Sequence, residues 1–245
     1  MIRAVQLTIC LPTYNERENL EPLVRALATV FTENGLDAHI LVVDDNSPDG
    51  TGELADELAR SLPFVSVLHR PQKEGLGPAY LAAFRTALAA GPDLILTMDC
   101  DFSHDPTDVP RLVAAAEGAD VVVGSRYVPG GGVRNWGPLR RAISRGGSLY
   151  AHVLLGVGIH DLTGGFKCYR REVLEQIGLE RITSRGYAFQ IETTYRALRA
   201  GFRVVEVPIV FTDRETGRSK MSRTIVLEAI ARVPALRLRA ARGRL

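Results

Sequence analysis

From Val5 to Val123 the chain switches repeatedly between two periods, short β-branched runs and longer stretches with apolar residues at helical spacing. No other feature restricts the fold as much. Strands are expected at Val5–Leu11, Ala38–Asp44, Val65–Leu68, Leu94–Met98 and Asp120–Val123. Helices are expected between them at Arg17–Phe31, Gly50–Leu62, Gly77–Ala90 and Pro106–Ala116; the first carries Leu20, Leu23, Val24, Leu27 and Val30 on one face. Strands joined by helical crossovers of this length pair in parallel, so the fold class is α/β, a mostly parallel, doubly wound sheet flanked by helices. Sheets of this kind bind ligands outside the carboxyl ends of their strands, near the switch in strand order.

Past Gly124 the pattern loosens. Pro129-Gly130-Gly131-Gly132 reads as a flexible loop, and an apolar, basic helix is expected over Leu139–Leu155. A strand at Phe166–Tyr169 and a helix at Tyr187–Ala200 follow. Arg203–Phe211 reads as one strand broken at Pro208, and the polar loop Thr212–Ser222 leads into an amphipathic helix, Thr224–Leu238. Leu227, Ile230, Val233 and Leu236 sit roughly on one face of that helix. With 245 residues the chain can bury one large core or two modest ones, and one domain is the better reading.

Composition narrows the class further. The longest uncharged apolar stretch, about Gly146 to Ile159, falls short of the ~18–20 residues a membrane-spanning helix needs, so no span is expected. Met1 to Leu11 is too short and too lightly charged for a signal peptide. Cys10, Cys100 and Cys168 are odd in number and far apart, which gives neither a disulfide framework nor a zinc ligand set and fits a reducing cytoplasm. The net charge of +2 gives no reason to expect a nucleic acid partner, but the charge is unevenly spread. Val121 to His160 holds Arg126, Arg134, Arg140, Arg141 and Arg145 with no carboxylate, and Ser222 to Leu245 holds six arginines against Glu228 alone. These tracts are either attractors for phosphates and acidic head groups or a solvated basic face.

The chemistry sits at the strand ends. No G-x-G-x-x-G follows the first strand and no G-x-x-x-x-G-K-[ST] occurs. The first strand ends instead in Pro12-Thr13-Tyr14-Asn15-Glu16, which on its own reads equally as a polar turn. The second ends in Asp44-Asp45-Asn46-Ser47-Pro48-Asp49-Gly50, where adjacent acids repel unless they bind something; we take Asp45 as a ligand-binding residue and Asn46 onward as the turn. The fourth ends in Asp99-Cys100-Asp101. Carboxylates at i and i+2 on a strand end can face one hard cation, and Mg²⁺ and Mn²⁺ prefer such oxygens while keeping positions open for a diphosphate.

These motifs, with Met98 to His104 as the third, resemble those of the dolichol-phosphate (polyprenol-phosphate) mannose synthases, inverting GT-A glycosyltransferases of family 2. Gly124-Ser125-Arg126-Tyr127, Ile143-Ser144-Arg145-Gly146, Asp161 to Phe166, Asp213-Arg214 and Ser219-Lys220 agree, so the resemblance runs from about Thr8 to Leu227. It implies a GT-A (Rossmann-like) domain over residues 1–245, divided into a nucleotide-sugar half (1–124), an acceptor half with amphipathic helices (125–238) and a basic tail (239–245). It implies that Pro12, Tyr14 and Glu16 hold a guanine nucleotide and that Val43 and Asp45 contact base and ribose. Asp99, Cys100 and Asp101 match a D-A-D that binds diphosphate and metal; the central Cys departs from the usual Ala, at a position that uses its main chain. Ser103 stands where some members carry a metal-binding Gln. Arg126, Arg140 and Ser144 match residues that grip the lipid phosphate, and Arg214 and Lys220 match a loop that closes over the donor.

The implied reaction is transfer of mannose from GDP-mannose to a polyprenyl (dolichyl-type) phosphate, with Mg²⁺ or Mn²⁺ and with Asp101, Arg126, Arg214 and Lys220 in the catalytic set. A phosphomonoester acceptor has a second pKa of about 6 and needs no general base, so Glu192 reads as structural or positioning, and His104 and His160 read as polar loop residues. The two amphipathic helices are expected either in the head-group layer of a membrane or packed on protein. The chain carries no spanning helices up to Leu245, which implies a peripheral protein on the cytoplasmic face or a separate membrane-anchoring partner. The rivals are a polyprenyl-phosphate glucosyltransferase using UDP-glucose, a sugar-phosphate nucleotidyltransferase, whose Gly-rich activating loop is missing, and a non-catalytic membrane-docked nucleotide-sugar-binding module.

Overall fold

In a computed structural model the described residues are 5–184, 186–213, 223–243 and 245, with side chains described outside 223–231. Strands β1 (Gln6–Thr13), β2 (Asp37–Asp44), β3 (Val65–His69), β4 (Leu94–Thr97) and β5 (Val121–Ser125) alternate with helices α1 (Arg17–Asn34), α2 (Thr51–Ser61), α3 (Leu76–Ala90) and α4 (Val109–Ala115). Each expected element of the first half is therefore present. Past them come β6 (Gly132–Arg134), α5 (Pro138–Leu155), β7 (Lys167–Arg170), α6 (Arg171–Gln176), α7 (Gly186–Arg199), β8 (Val204–Pro208), β9 (Val210–Thr212) and α8 (Arg223–Ala241).

The main sheet has the order β3-β2-β1-β4-β7-β5-β8, parallel except for β7, which runs against both neighbours. Strand order reverses between β1 and β4, the place where ligands bind such sheets. Alternation along the strands divides the core. Leu7, Ile9 and Leu11 of β1 face α1, α2 and α4, while Cys10 faces the α3, α6 and α7 side. Two faces covered by helices explain why the strands read as nearly continuous apolar runs. A third cluster, built on Ala151, Leu155, Ile191, Tyr195, Val233 and Leu236, joins α5, α7 and α8.

Three expectations need correction. Arg203–Phe211 is two strands: Pro208 ends β8 in the main sheet, and β9 pairs with β6 in a separate two-stranded sheet. Proline has no N–H for a ladder, so the pairing partner changes there. Gly132 belongs to β6, and the turn before it needs Gly131, where a Cβ would stand 2.5 Å from the Ser125 carbonyl oxygen. Residues 239–241 finish α8, with Ala240 in the third cluster, so the basic tail begins later than expected. Val233 and Leu236 of α8 are buried in that same cluster, so the helix packs on protein; Leu227 and Ile230 lie outside the described side chains. Among the described residues no helix is long and apolar enough to cross a membrane, and Cys10, Cys100 and Cys168 are buried free thiols.

Candidate active site

The carboxyl ends of β1, β2 and β4 carry the three motifs into one region. At the end of β1, Asn15 takes the left-handed conformation (φ 56°) and the Glu16 carbonyl accepts from Leu20 N at 2.9 Å to open α1. The Glu16 carboxylate is buried and accepts from Asn19 Nδ2 at 2.9 Å. Pro12 and Tyr14 are half-buried, and Lys73 Nζ stands 3.7 Å above the Tyr14 ring. Val43 has its side chain in the core, so only its main chain is available to a ligand.

At the end of β2 the two acids have different tasks. Asp44 organises the turn, accepting from Ser47 Oγ at 2.5 Å and Ser47 N at 3.1 Å. Asp45 is buried and ion-paired with Arg70, which follows β3 and also holds Glu74 at 2.6 Å. Burial pushes the Asp45 carboxyl up, and the Arg70 guanidinium opposes this without cancelling it. Sequence reasoning missed Arg70 and Lys73. The signal was available: both follow a third strand, Val65–Leu68, at its carboxyl end.

At the end of β4 the Asp99 amide donates to His104 Nδ1 at 3.1 Å, which leaves the imidazole proton on Nε2. His104 is buried and stacked on Phe166 (4.8 Å between centroids), with Phe211 edge-on at 5.3 Å, so it is a packed support of the Asp99 loop and not a polar loop residue. Burial pushes its pKa down despite the nearby Asp99 and Asp101. Asp101 Oδ1 accepts from Ser103 N at 3.1 Å and Ser103 Oγ at 2.5 Å. The tight turn places Phe102 at φ 58°, a strained backbone for a bulky residue. Cys100 is buried, so its main chain alone faces the site.

The donor set fits a hard divalent cation. Asp99 is partly exposed and Asp101 is buried, two residues apart at the end of β4, and both supply carboxylate oxygens. Among the described residues no three His, Cys, Asp or Glu side chains converge as a protein-only metal cage. Mg²⁺-type sites are built this way, with one or two carboxylates and the remaining positions left to phosphate oxygens and water. The Ser103 hydroxyl donates to Asp101 Oδ1 and keeps its oxygen lone pairs, so the contact orients the carboxylate and is compatible with the expected place of Ser103 beside a cation.

The opposite wall comes from the second half. A pocket brings Asp99 together with Arg126, Arg140, Trp136, Tyr187 and Gln190. Arg126 is buried against Asp161 by a two-pronged pair, Nε–Oδ2 and Nη2–Oδ1 both 2.7 Å. Burial alone would lower the Arg126 pKa, but Asp161 holds it well above its ordinary value, and Arg126 keeps the Asp161 carboxyl below the usual range. Arg140 pairs with Asp213, lies 4.4 Å from the Trp136 ring and has a buried Nε without a partner. Ser144 stands outside this pocket and accepts from Tyr127 Oη at 2.7 Å. Glu192 is buried between Arg196 (2.8 Å) and Ser184 (2.5 Å), and His160 is an exposed loop residue paired with Glu206. Arg214 and Lys220 lie outside the described residues.

Comparison with known proteins adds relatives to this geometry. The model of the family described as "Glycosyl transferase family 2" matches residues 8–178. The chain is 52% identical over 235 residues to the polyprenol monophosphomannose synthase of Mycolicibacterium smegmatis, covering 95% of this chain and 87% of that one. It is 49% identical over 223 residues to the undecaprenyl-phosphate mannosyltransferase of Micrococcus luteus, covering 91% and 90%. Among solved structures it resembles glucosyl-3-phosphoglycerate synthase from Mycobacterium tuberculosis, in complex with UDP, with TM-score 0.69, 19% identity, and 95% and 80% of the two chains covered. The mannosyl-3-phosphoglycerate synthase of Rubrobacter xylanophilus follows with TM-score 0.68, 20% identity, and 98% and 76% covered. At these identities the solved structures speak for the fold alone.

Proposed function

The chain belongs to glycosyl transferase family 2, and on that footing we propose that it transfers mannose from GDP-mannose to the phosphate of a polyprenyl monophosphate, releasing GDP and inverting the anomeric carbon. The observation that carries this reading is the pocket that joins the Asp99 strand end to the guanidinium groups of Arg126 and Arg140. An acidic strand end facing paired arginines suits a reaction that joins two phosphate-bearing substrates. The 52% identity to a protein named polyprenol monophosphomannose synthase supports the choice of sugar and acceptor.

On this reading Asp99 and Asp101 hold Mg²⁺ or Mn²⁺, which supplies positive charge against the departing diphosphate. Ser103 fixes the Asp101 carboxylate through its hydroxyl and amide. Pro12, Tyr14, Glu16 and the Val43 main chain form the base end, Asp45 the ribose contact, and the Cys100 main chain the diphosphate contact. Arg126, Arg140 and Ser144 receive the acceptor phosphate, and Arg214 and Lys220 complete the donor side. The attacking oxygen belongs to an already ionised phosphate, its second pKa being about 6, so the chain need not supply a base. The environment agrees: His104 has its Nδ1 committed to the Asp99 amide, and Glu192 is locked to Arg196 and Ser184.

A lipid acceptor suits α5. Leu139, Ile143, Leu149 and Val153 are exposed along one face, while Ser148, Ala151 and Leu155 are buried on the other. Exposed Arg141 and Arg145 flank the apolar stripe. Such a helix lies in a head-group layer, apolar side down, so we place the protein peripherally on the cytoplasmic face of a membrane. The test is transfer of labelled mannose from GDP-mannose to polyprenyl phosphate, with and without Mg²⁺ or Mn²⁺, followed by organic extraction. Metal-dependent label in the lipid phase is expected. The Asp101→Asn variant keeps the Ser103 contacts, removes the charge, and is expected to lose transfer by at least about a hundredfold while melting like the wild type. Label that appears equally without metal, or in Asp101→Asn, overturns the assignment of the acidic strand end; UDP-glucose as the better donor overturns the sugar.

A further inference from the structure

The pocket floor holds a buried donor with nothing to donate to. Gln190, on α7, is 2% exposed, lines the pocket, and its Nε2 has no hydrogen-bond partner. An unpaired buried amide N–H is costly, and in a native chain such a group calls for an explanation, of which a ligand that completes it is one. The other end of the side chain is fixed. Lys167, fully buried on β7, donates from Nζ to the Gln190 side-chain oxygen at 3.1 Å and to the Gln190 carbonyl at 2.7 Å. In both contacts the lysine is the donor, so the oxygen of the amide faces Lys167 and the nitrogen is turned away from it.

One neighbour of that nitrogen lacks a side chain. Gly165 lies against it: a Cβ at that position would stand 3.4 Å from Gln190 Nε2 and 3.8 Å from the His104 ring. Gly165 is held there by its carbonyl, which accepts from Thr97 Oγ1 at 2.6 Å. A side chain at 165 would start in contact with the amide. Two neutral donors without a partner therefore line the pocket, this amide and the Trp136 indole N–H, and of the two Gln190 has its far end fixed by a buried lysine.

We propose that Gln190 Nε2 donates a hydrogen bond to an oxygen of the hexose being transferred, and that Lys167 is the positioning residue that aims it. The inference rests on the donor reading above and extends it. A hexose oxygen is favoured over a phosphate oxygen because the guanidinium groups already in the pocket meet phosphate charge, whereas a neutral amide suits a neutral hydroxyl. The N–H can distinguish hydroxyl configuration, because a site with a directed donor rejects a sugar lacking the matching acceptor.

The test uses the full chain, three single variants and one double variant. Gln190→Met keeps the length of the side chain without a donor, and Gln190→Glu keeps its shape, pairs with Lys167 and also lacks the donor. Lys167→Met removes the aiming contact. Each is measured for kcat/KM in hexose transfer from GDP-mannose, for affinity toward GDP alone by calorimetry, and for melting temperature. Both Gln190 variants are expected to lose about tenfold or more in kcat/KM, the size of one directed hydrogen bond, with GDP affinity unchanged. Lys167→Met is expected to lose a similar factor, and the Gln190→Met, Lys167→Met pair to lose no more than either alone, because both act through one amide. Wild-type kcat/KM in the Gln190 variants overturns the proposal, as does an equal loss of GDP affinity. Additive losses in the pair overturn the part given to Lys167. Wild-type protein that neither binds GDP nor transfers mannose overturns the donor reading instead, and the same comparison with UDP and UDP-glucose then decides the place of Gln190.

Discussion

The residues legible in the sequence are those whose role follows from position along a strand. Asp45, Asp99 and Asp101 stand out because carboxylates at the ends of apolar strands have few neutral explanations. Lys167, Gln190 and His104 do not, because their meaning lies in packing: nothing in Phe166-Lys167-Cys168 says that the lysine is fully buried, or that its ammonium meets Gln190 from another helix. That burial has a measurable consequence. Desolvation lowers the Lys167 pKa from 10.5 to about 7 in the folded chain, with Asp161 opposing the shift. Between those values the unfolded chain binds more protons than the folded one, so the stability contribution rises with pH; below about 7 the lysine is charged in both states and the dependence vanishes. The melting temperature of the wild type relative to Lys167→Met is therefore expected to rise between about pH 7 and about pH 9 and to be flat below. A difference that does not change with pH would mean that Lys167 keeps its ordinary affinity for protons.

Elements were legible in kind but not always in partner. The spacing of apolar residues shows that α5 and α8 each have an apolar face; it does not show what covers it. The structure separates them. The α8 face closes on α5 and α7 through Val233, Leu236 and Ala240, whereas Leu139, Ile143, Leu149 and Val153 of α5 face outward. Strand β7 was found but its direction was not, and the reason is local. The Thr163-Gly164-Gly165 segment before it lines the pocket, so the chain enters β7 from the carboxyl-end side of the sheet and must run back between β4 and β5. If the α5 stripe meets lipid, replacing Leu149 and Val153 together by Glu removes two apolar contacts of up to about 1.5–3 kcal/mol each and sets charge in their place. Binding to vesicles containing anionic phospholipid, measured by cosedimentation, is expected to fall at least about tenfold. Transfer to a short, water-soluble polyprenyl phosphate is expected to be unchanged, and vesicle binding equal to the wild type would remove α5 from the surface.

At the scale of the whole molecule the pocket exists only because both halves of the chain contribute to it. Asp99 and His104, at the end of β4, come from the alternating region that the sequence displays plainly; Arg126, Arg140, Trp136 and Gln190 come from the irregular part after Gly124. The division predicts separable functions. Arg140 reaches the pocket from α5, shares its charge with Asp213 and has one buried N–H left over, while the strand ends of β1 and β2 do not line that pocket. Arg140→Ala removes a guanidinium whose charge-assisted bonds to a phosphate are each worth about 1.5–3 kcal/mol, so KM for the lipid phosphate is expected to rise roughly ten- to a hundredfold. Affinity for GDP, measured by calorimetry on the same variant, is expected to stay within about twofold of the wild type, since uniform binding lost on one substrate need not touch the other. If both fall together, Arg140 acts through the folding of the pocket and its contact with Asp213, and the acceptor phosphate must be received by Arg126 and Ser144 without it.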